Sequence, residues 1–554
     1  MTREQNPSAA LALTELDMPR SSGGRPSRSR VVAVATVALV VVATGRGLLD
    51  GYVALRDRAM IAMRARDVLT EHHPLVGMAS SGSTPELAFN HLGPLLFDVL
   101  ALPVRLFGDN AGAAVGAALV NAVALWGLIR AARRIGDERA ALVVAAGVVM
   151  LVWIMGAETL YDAWNPNVLV LPFTWFVLCA WLVACGHMRE LPLAVGIASF
   201  CMQTHLGFPI IVTAILLAAL AFGLVRPIDR RDDVGRSVLV ACAVGVLAWA
   251  QPVWEQFTSD GRGNISRLLD AGSDAGVAGS PSLAARVFAD VFSPSRWVSP
   301  RFEQDWSYLD EGSMPGPLLA GVIVAVVLGI GVGLAIAVAP RAPILGRLWL
   351  MLAVGVAAGV VTVMRLPLQF GAGLPAYYVR WIWPLVVLYL IAAALSAATL
   401  VPRSLLGRGR ALLPIGVVAV VLVLIATAVD VRQPETRARY EDAVRSVRDQ
   451  VGDSAQQLAG TRVVVRFDTL AWYLPYPYET SAALEQHGVD VVVVEEFMVR
   501  QYGPDRRARA DDAATVYATV GAAPPPERDG VRHLARVRRT PDGQVTIVYD
   551  PNGR

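Results

Sequence analysis

Apolar stretches of about the length that carries a helix across a bilayer recur through most of this chain, with short polar loops between them. They occupy residues 31–49, 112–130, 140–157, 167–185, 190–206, 208–225, 236–254, 317–339, 345–364, 378–399 and 411–430. The segment from Leu191 to Val225 is too long for one crossing, and Gly207 and Pro209 in HLGFP interrupt it, so it divides into two short spans. The pattern predicts a polytopic α-helical membrane protein with about eleven transmembrane helices.

Basic residues decide which ends of these spans lie together. With this count the loops RAARRIGDER, GHMRE, RPIDRRDDVGR, PRAPILGR and PRSLLGRGR share one side, which the positive-inside rule makes the cytoplasm. The other side receives loops 50–111, 158–166, the turn around His205, 255–316 and 365–377, and the tail from 431. One more crossing before residue 112 would move RAARR and RPIDRR outside, and the stretch in question is NHLGPLLFDVLALPVRLFG, Asn90 to Gly108. Its His91, Asp98 and Arg105 recur every seven residues, so at about 100° per residue they fall within about 40° on one helix face. A helix with such a stripe rests in the membrane interface, the stripe toward water or a protein cavity. The alternative is a true span whose polar residues face the bundle interior.

Residues 1–30 are polar and place Arg20, Arg25, Arg28 and Arg30 just before the first apolar run. No small-residue cleavage site follows that run cleanly, which predicts an uncleaved span and a cytoplasmic N-terminus. The membrane domain is then 31–430, with 50–111 as its first exterior loop. From Val431 the composition becomes that of a soluble domain. ETRARYEDAVRSVRDQVGD and SAALEQHG read as helices, and RVVVRFD, VDVVVVEE, RHLARVRR and VTIVYD as strands. A small extracytoplasmic α/β domain over 431–554 is expected. Its WYLPYPYE, Trp472 to Glu479, offers aromatics that either stack on sugar faces or form core and turn.

Composition narrows the class. Of 554 residues 55% are hydrophobic and 17% charged, with a mean hydropathy of +0.49. A net charge of +3 gives no reason to expect nucleic acid as a partner, whereas membrane lipids are implied. The basic residues are arginines, a bias of GC-rich genomes that suggests a bacterial plasma membrane. Cys179, Cys185, Cys201 and Cys242 all fall in apolar runs and read as packing residues rather than disulfides or a zinc site. Exterior acids could hold a divalent metal, although no compact acidic cluster or His/Cys spacing demands one.

Polar residues at a membrane edge are costly to bury, so those gathered on the exterior side are the candidates for chemistry. Asp57 and Arg64, seven apart, share a helix face, with Asp67 roughly 80° away, presenting a carboxylate among arginines; a solvated helix capping the bundle explains them equally. His91 and His205 can donate to phosphate or sugar oxygens, or serve as hydrogen-bonded structural residues. Glu158, Asp162, Trp164 and Asn165 suit sugar hydroxyls and stacking, or interfacial anchoring and capping. Gln256 and Asn264 lie on the same rim. Arg380, at the outer end of its span, either meets an anion or snorkels to the interface.

RDRAMIAMRARDVLTEHHPLVG followed by FNHLGPLLFDVLALPVRLFG resembles the first extracytoplasmic loop of the GT-C superfamily of membrane glycosyltransferases, near the bacterial relatives of protein O-mannosyltransferases and the mycobacterial arabinofuranosyltransferases. YDAWNPNVLVLPF, QTHLGF with Gln203 and His205, QPVWEQFTSDGRGNISRLL and YYVRWIWPL continue the likeness over about residues 30 to 400. The resemblance implies transfer of a sugar from a polyprenyl-phosphate donor to a glycan, lipid or protein acceptor outside the cytoplasm. It also implies an essential acid in the first exterior loop, carried over to Asp57, with Asp50 and Asp67 as fallbacks. Many relatives have a second acid or a preceding glycine, whereas Arg56 and Arg58 flank Asp57 here and make it a weaker base. Displacement at the anomeric carbon would leave a phosphate anion for Arg64 and Arg380 to hold. The tryptophan-rich signature of oligosaccharyltransferases is absent, which argues against transfer of a whole glycan to asparagine. Two other classes stay open. A transporter or lipid flippase would need ionisable residues and broken helices at mid-membrane, which most of these spans lack. A catalytically dead scaffold would keep the fold alone.

Overall fold

The computed structural model describes residues 28–83, 87–136, 138–229, 233–259, 261–273, 279–293, 295–298, 314–366, 374–401, 435–467, 474–521 and 529–553. The polar N-terminal tail, the predicted span 411–430, the loop PRSLLGRGR and Trp472 lie outside these residues.

The chain is mostly helical, with one small sheet near its end. In order run α1 (Arg28–Leu49), α2 (Asp57–Asp67), α3 (Leu95–Phe107), α4 (Asp109–Ile135), α5 (Glu138–Met155), α6 (Asn165–Val168), α7 (Val170–Cys185), α8 (Leu191–Thr204), α9 (Pro209–Val225), α10 (Val234–Thr258), α11 (Asn264–Ser273), α12 (Pro281–Phe292), α13 (Ser295–Val298), α14 (Pro317–Val338), α15 (Pro343–Arg365) and α16 (Ile382–Leu400). Every predicted span within the described residues falls on a helix. Seven of these segments are long and apolar enough to cross a membrane: α4, α5, α6 with α7, α10, α14, α15, and α16 with the turn before it. The break at HLGFP leaves α8 with 14 residues and α9 with 17. At 1.5 Å per residue α8 is only about 21 Å long. α7 is buried almost throughout, whereas α14 exposes Leu318, Leu319, Val322, Val326, Ile330 and Ile336, a surface better matched to lipid than to water.

Four of the five loops assigned to one side of the bundle lie wholly or mostly among the described residues, and these meet at one end. Glu190 pairs with Arg130 and Arg134, the amide of Ile228 donates to Cys185 O at 2.9 Å, and Arg347 donates to Arg226 O at 2.7 Å.

The Asn90–Gly108 stretch differs from its predicted form. α3 starts only at Leu95, because Pro94 is its N-cap, so His91 lies outside the helix. There it belongs to an extended segment paired with residues 77–80, the amide of His91 donating to Met78 O at 2.8 Å. The three-residue polar stripe is therefore divided. Asp98 accepts from Gln251 at 2.9 Å, and Arg105 donates to Val68 O. With 13 residues α3 is about 20 Å long, too short to span, and it packs on α4, where Gly112 and Gly116 admit Pro103, Val104 and Leu100.

α2 is not a solvated helix. Nine of its 11 residues are buried, held between α3, α4 and the terminal domain.

That domain comprises α17 (Glu435–Ala455), β1 (Arg462–Phe467), α18 (Tyr476–Gln486), β2 (Asp490–Val492), α19 (Glu496–Tyr502), β3 (Thr515–Val520), β4 (Arg532–Thr540) and β5 (Gly543–Asp550). The sheet order is β2-β1-β3-β5-β4, with β1 parallel to β2 and β3, and β5 antiparallel to β3 and β4. VDVVVVEE keeps only three strand residues before the chain turns into α19, and β3 had no counterpart among the predicted strands. Tyr476 and Tyr478 of WYLPYPYE are buried in α18.

Charge fixes this domain to the helical body. Arg506 gives two hydrogen bonds to Asp67, at 2.7 and 2.9 Å, and two to Glu485, at 2.7 and 3.2 Å. Arg64 reaches Asp67 and Tyr502 O, both at 2.7 Å, and Arg66 joins Asp109 at 3.1 Å to Glu485 at 2.7 Å. Burial would raise the Asp67 carboxyl, but Arg506, Arg64 and Arg66 hold it below its ordinary value, while burial brings Arg64 down to about 10. Because a buried carboxylate stripped of its partner is costly, Arg506→Ala is expected to destabilise the protein by about 3–5 kcal/mol. Thermal unfolding, with limited proteolysis after residue 435, measures this; unchanged unfolding and protection would show that the network does not hold the domain.

Candidate active site

Where the domain meets the end of the bundle opposite Glu190, a small cleft opens, with a cavity volume of about 40 Å³. Its floor comes from separate pieces of the helical body: Arg56, Asp57, Met78, Ala79, Ser81, His91, Trp164 to Pro166, His205 and Tyr377. Its roof comes from the terminal domain: Tyr478, Phe497 and Gln501.

Asp57 opens α2. A carboxylate in a helix's first turn is favoured by the amide dipoles there, and the residue before it, Arg56, takes φ 57° and ψ −121°. Such a conformation costs a non-glycine residue about 1–3 kcal/mol, a strain often found beside functional groups. Asp57 Oδ2 accepts from Trp164 Nε1 at 2.9 Å. Two guanidiniums lie over the Trp164 ring, Arg58 at 5.1 Å and Arg380 at 5.3 Å from its centroid, and Tyr377 packs on it at 5.1 Å. Arg380 is thus buried toward the site and does not reach outward to an interface.

Arg58 and Asp162 form a bidentate pair, both bonds 2.7 Å, with side-chain exposures of 2% and 0%. Asp162 also accepts from Trp164 N and from Asn167 Nδ2. It is a bracket for Trp164, and not a group open to a sugar.

The two imidazoles lie with centroids 5.2 Å apart, their planes tilted by 33°. His91 Nδ1 accepts from Leu206 N at 3.3 Å, and His205 Nδ1 accepts from Gly207 N at 3.1 Å. These acceptor roles assign the proton to Nε2 in each neutral ring. Burial lowers His91 to about 4, and burial with His91 and Arg380 puts His205 well below its ordinary value. Both are neutral donors at pH 7. Opposite them the Ser81 hydroxyl bonds Tyr377 and Tyr378 at 2.9 and 3.0 Å.

Of the residues singled out in the sequence, Asp57, His91, Trp164, Asn165 and His205 line the cleft, and Arg380 stands behind Trp164. The others lie elsewhere. Arg64, two helical turns from Asp57, faces the terminal domain, so the shared face does not bring the two into one site. Of the fallback acids, Asp67 sits in the interdomain network and Asp50, half exposed, pairs with Arg46. Glu158 is buried in the 3-10 turn Ala157–Leu160 and is not part of the cleft lining. Gln203 ties α8 to Ala248 O, Gln256 caps α11 through Ile265 N, and Asn264 bonds the backbone of Asn90, which sets the segment carrying His91. Among the described residues no group of three or more His, Cys, Asp or Glu is gathered for a metal ion.

Of the roof, Tyr478 lies in WYLPYPYE, whose aromatics the sequence had offered, whereas Phe497 and Gln501 were not anticipated. Phe497 and Gln501 are four apart and share a face of α19, but EEFMVRQY directly follows a run of valines that reads as strand, which hid that periodicity. Arg56, Arg58, Ser81 and Tyr377 lay in stretches already noted, without a periodic signal of their own. No protein-family model matches the chain, and a search of curated proteins finds no match.

In the unfolded chain a histidine takes its proton near pH 6.5, whereas folded His91 resists until about pH 4. The unfolded state then binds more protons in that window, so stability is full above 6.5 and declines as pH falls toward 4. The loss from His91 alone is on the order of 3 kcal/mol. Thermal unfolding against pH is expected to show this acid limb and to flatten in His91→Gln; an unchanged limb in that variant would assign the effect elsewhere.

Proposed function

We propose that this protein is a membrane glycosyltransferase of the GT-C type, moving a sugar from a polyprenyl-phosphate donor to an acceptor hydroxyl outside the bacterial cytoplasm. One observation carries the reading: among the described acids of the first exterior loop, only Asp57 lines the cleft, where an indole N–H fixes one of its oxygens.

In the proposed reaction the acceptor O–H bond breaks and its proton passes to the Asp57 carboxylate. The acceptor oxygen forms the new bond to the anomeric carbon. The bond from that carbon to phosphate oxygen breaks through an oxocarbenium-like state, and its electron pair leaves with the lipid phosphate. That leaving group is already a stabilised anion, so it needs donors and positive charge rather than a strong acid. The Nε2–H groups of His91 and His205 are suited to donate to it, and Arg380, behind Trp164, adds positive charge. A single carboxylate among guanidiniums is a modest base, which fits a reaction whose leaving group departs readily. The Arg-rich loops would then face the cytoplasm and the terminal domain the exterior, α3 resting in the interface.

Membranes containing the protein are to be incubated with a panel of labelled polyprenyl-phosphate sugars. Asp57→Asn is expected to lower transfer by about 10²–10⁴-fold with unchanged membrane level. Transfer from no donor, or transfer indifferent to this change, would favour a scaffold or transporter. Sidedness has its own measurement. A membrane-impermeant thiol reagent on intact cells should leave Arg133→Cys unlabelled, in a background with Cys242 replaced, and labelling there would reverse the topology.

A further inference from the structure

A second hollow lies toward the other end of the bundle. It runs between α14 and α15, from Leu328 and Val356 down to Ala339 and Pro343, with Tyr389 of α16 against it, and its volume is about 570 Å³. The polar handles of its two aromatic residues are already used. Tyr389 Oη donates to Val327 O at 2.6 Å, Trp349 Nε1 donates to Ser396 Oγ at 3.0 Å, and the two rings meet edge to face. Leu328, Val332 and Ile336 line the hollow and are exposed, so it opens sideways as a groove. Its volume is about four times the roughly 150 Å³ of an apolar cavity that stays dry and admits benzene. A flexible hydrocarbon chain would restore the dispersion contacts that such walls lack.

One charged group lines the groove, at the end where the arginine-rich loops gather. Arg347 lays its guanidinium over the Phe222 ring at 4.6 Å and donates to Arg226 O at 2.7 Å; among the described residues no carboxylate pairs with it. The exposed Arg226 and Arg341 add positive charge on the neighbouring turns. A long apolar trough closed by a guanidinium matches an amphiphile with an anionic head. Its length narrows the class. From Leu328 to Ala339 α14 rises about 17 Å, close to the roughly 15 Å of hydrocarbon in one leaflet.

We infer that this groove binds an anionic phospholipid, one acyl chain lying between α14 and α15 and the phosphate on Arg347. A polyprenyl chain would run well past the end of the groove, and the cleft that holds Asp57 lies at the opposite end of the bundle, so the occupant is not the proposed sugar donor. The inference needs these helices in a bilayer and does not rest on the transfer reading.

The test is native mass spectrometry of the detergent-purified full-length protein with four probes: phosphatidylglycerol, phosphatidylcholine of the same chains, undecaprenyl phosphate and inorganic phosphate. Wild type is expected to retain phosphatidylglycerol about tenfold better than phosphatidylcholine. Arg347→Gln should abolish that preference and Arg347→Lys keep most of it, which separates a lost anion contact from a lost fold. Ala353→Trp fills the groove and leaves Arg347 in place, and it should lower phosphatidylglycerol retention by about tenfold. Equal retention of the two phospholipids by wild type overturns the inference. So does phosphatidylglycerol binding that ignores Ala353→Trp or is matched by inorganic phosphate, either of which would mark a surface ion pair without a seated chain. Preferential retention of undecaprenyl phosphate would reject the phospholipid as occupant. None of these readouts uses sugar transfer, so failure of the donor assay and failure of this inference are told apart.

Discussion

The site hangs on one ion pair. Arg58, the second residue of α2, and Asp162, in the turn before α6, are sequestered from water and joined by two 2.7 Å bonds. Burying two charges is expensive, and a pair of this kind is tolerated where its geometry is good and its remaining oxygen valences are filled. Asp162 meets that condition through Trp164 N and Asn167 Nδ2. The same contacts orient the indole, which stacks on Arg58 and bonds Asp57. The cost of the buried pair is thereby offset within a structure that fixes the carboxylate at the cleft. The pair itself is too buried to meet a substrate; it is a positioning device.

A second constraint acts at longer range. The cleft exists only while the terminal domain is docked, since its roof belongs to α18 and α19. Docking rests on guanidiniums and carboxylates drawn from α2, the start of α4, α18 and the segment after α19, in a network whose three arginines face three acids. Such a network is specific in direction and demands correct register, as apolar packing alone does not. It also explains why so many charges between α1 and α4 are absent from the cleft: Arg64, Arg66 and Asp67 are occupied in holding the roof. The division of labour leaves a floor with charge and imidazole and a roof with neutral polar and aromatic groups.

Much of this was legible along the chain. Runs of apolar residues located the helices, because length and hydropathy are properties of a contiguous segment. The Pro and Gly in HLGFP announced the break between α8 and α9, and the arginine-rich loops foretold which loops gather at one end. Asp57, His91, Trp164, Asn165 and His205 were found for a simpler reason: polar residues at the ends of apolar runs are few, and the topology leaves them one rim to occupy. Periodicity failed where it was extended past a helix end. It placed His91 on α3, although Pro94 starts that helix later, and it set Arg64 beside Asp57 although the helix turns it toward another domain.

The sequence by itself determined a mostly helical chain with several helices long and apolar enough to cross a membrane and a small α/β domain, and it nominated an acid at the start of α2, because these depend on local pattern and on counting. Tertiary structure alone decided which candidates share a cavity, that Asp162 and Asp67 are consumed by arginines, that both imidazoles present Nε2–H, and that a domain more than 400 residues away supplies the roof. Those outcomes rest on contacts between segments remote in the chain. No local pattern encodes such a distance, and the burial that sets each group's charge and partners arises only when the segments close on one another.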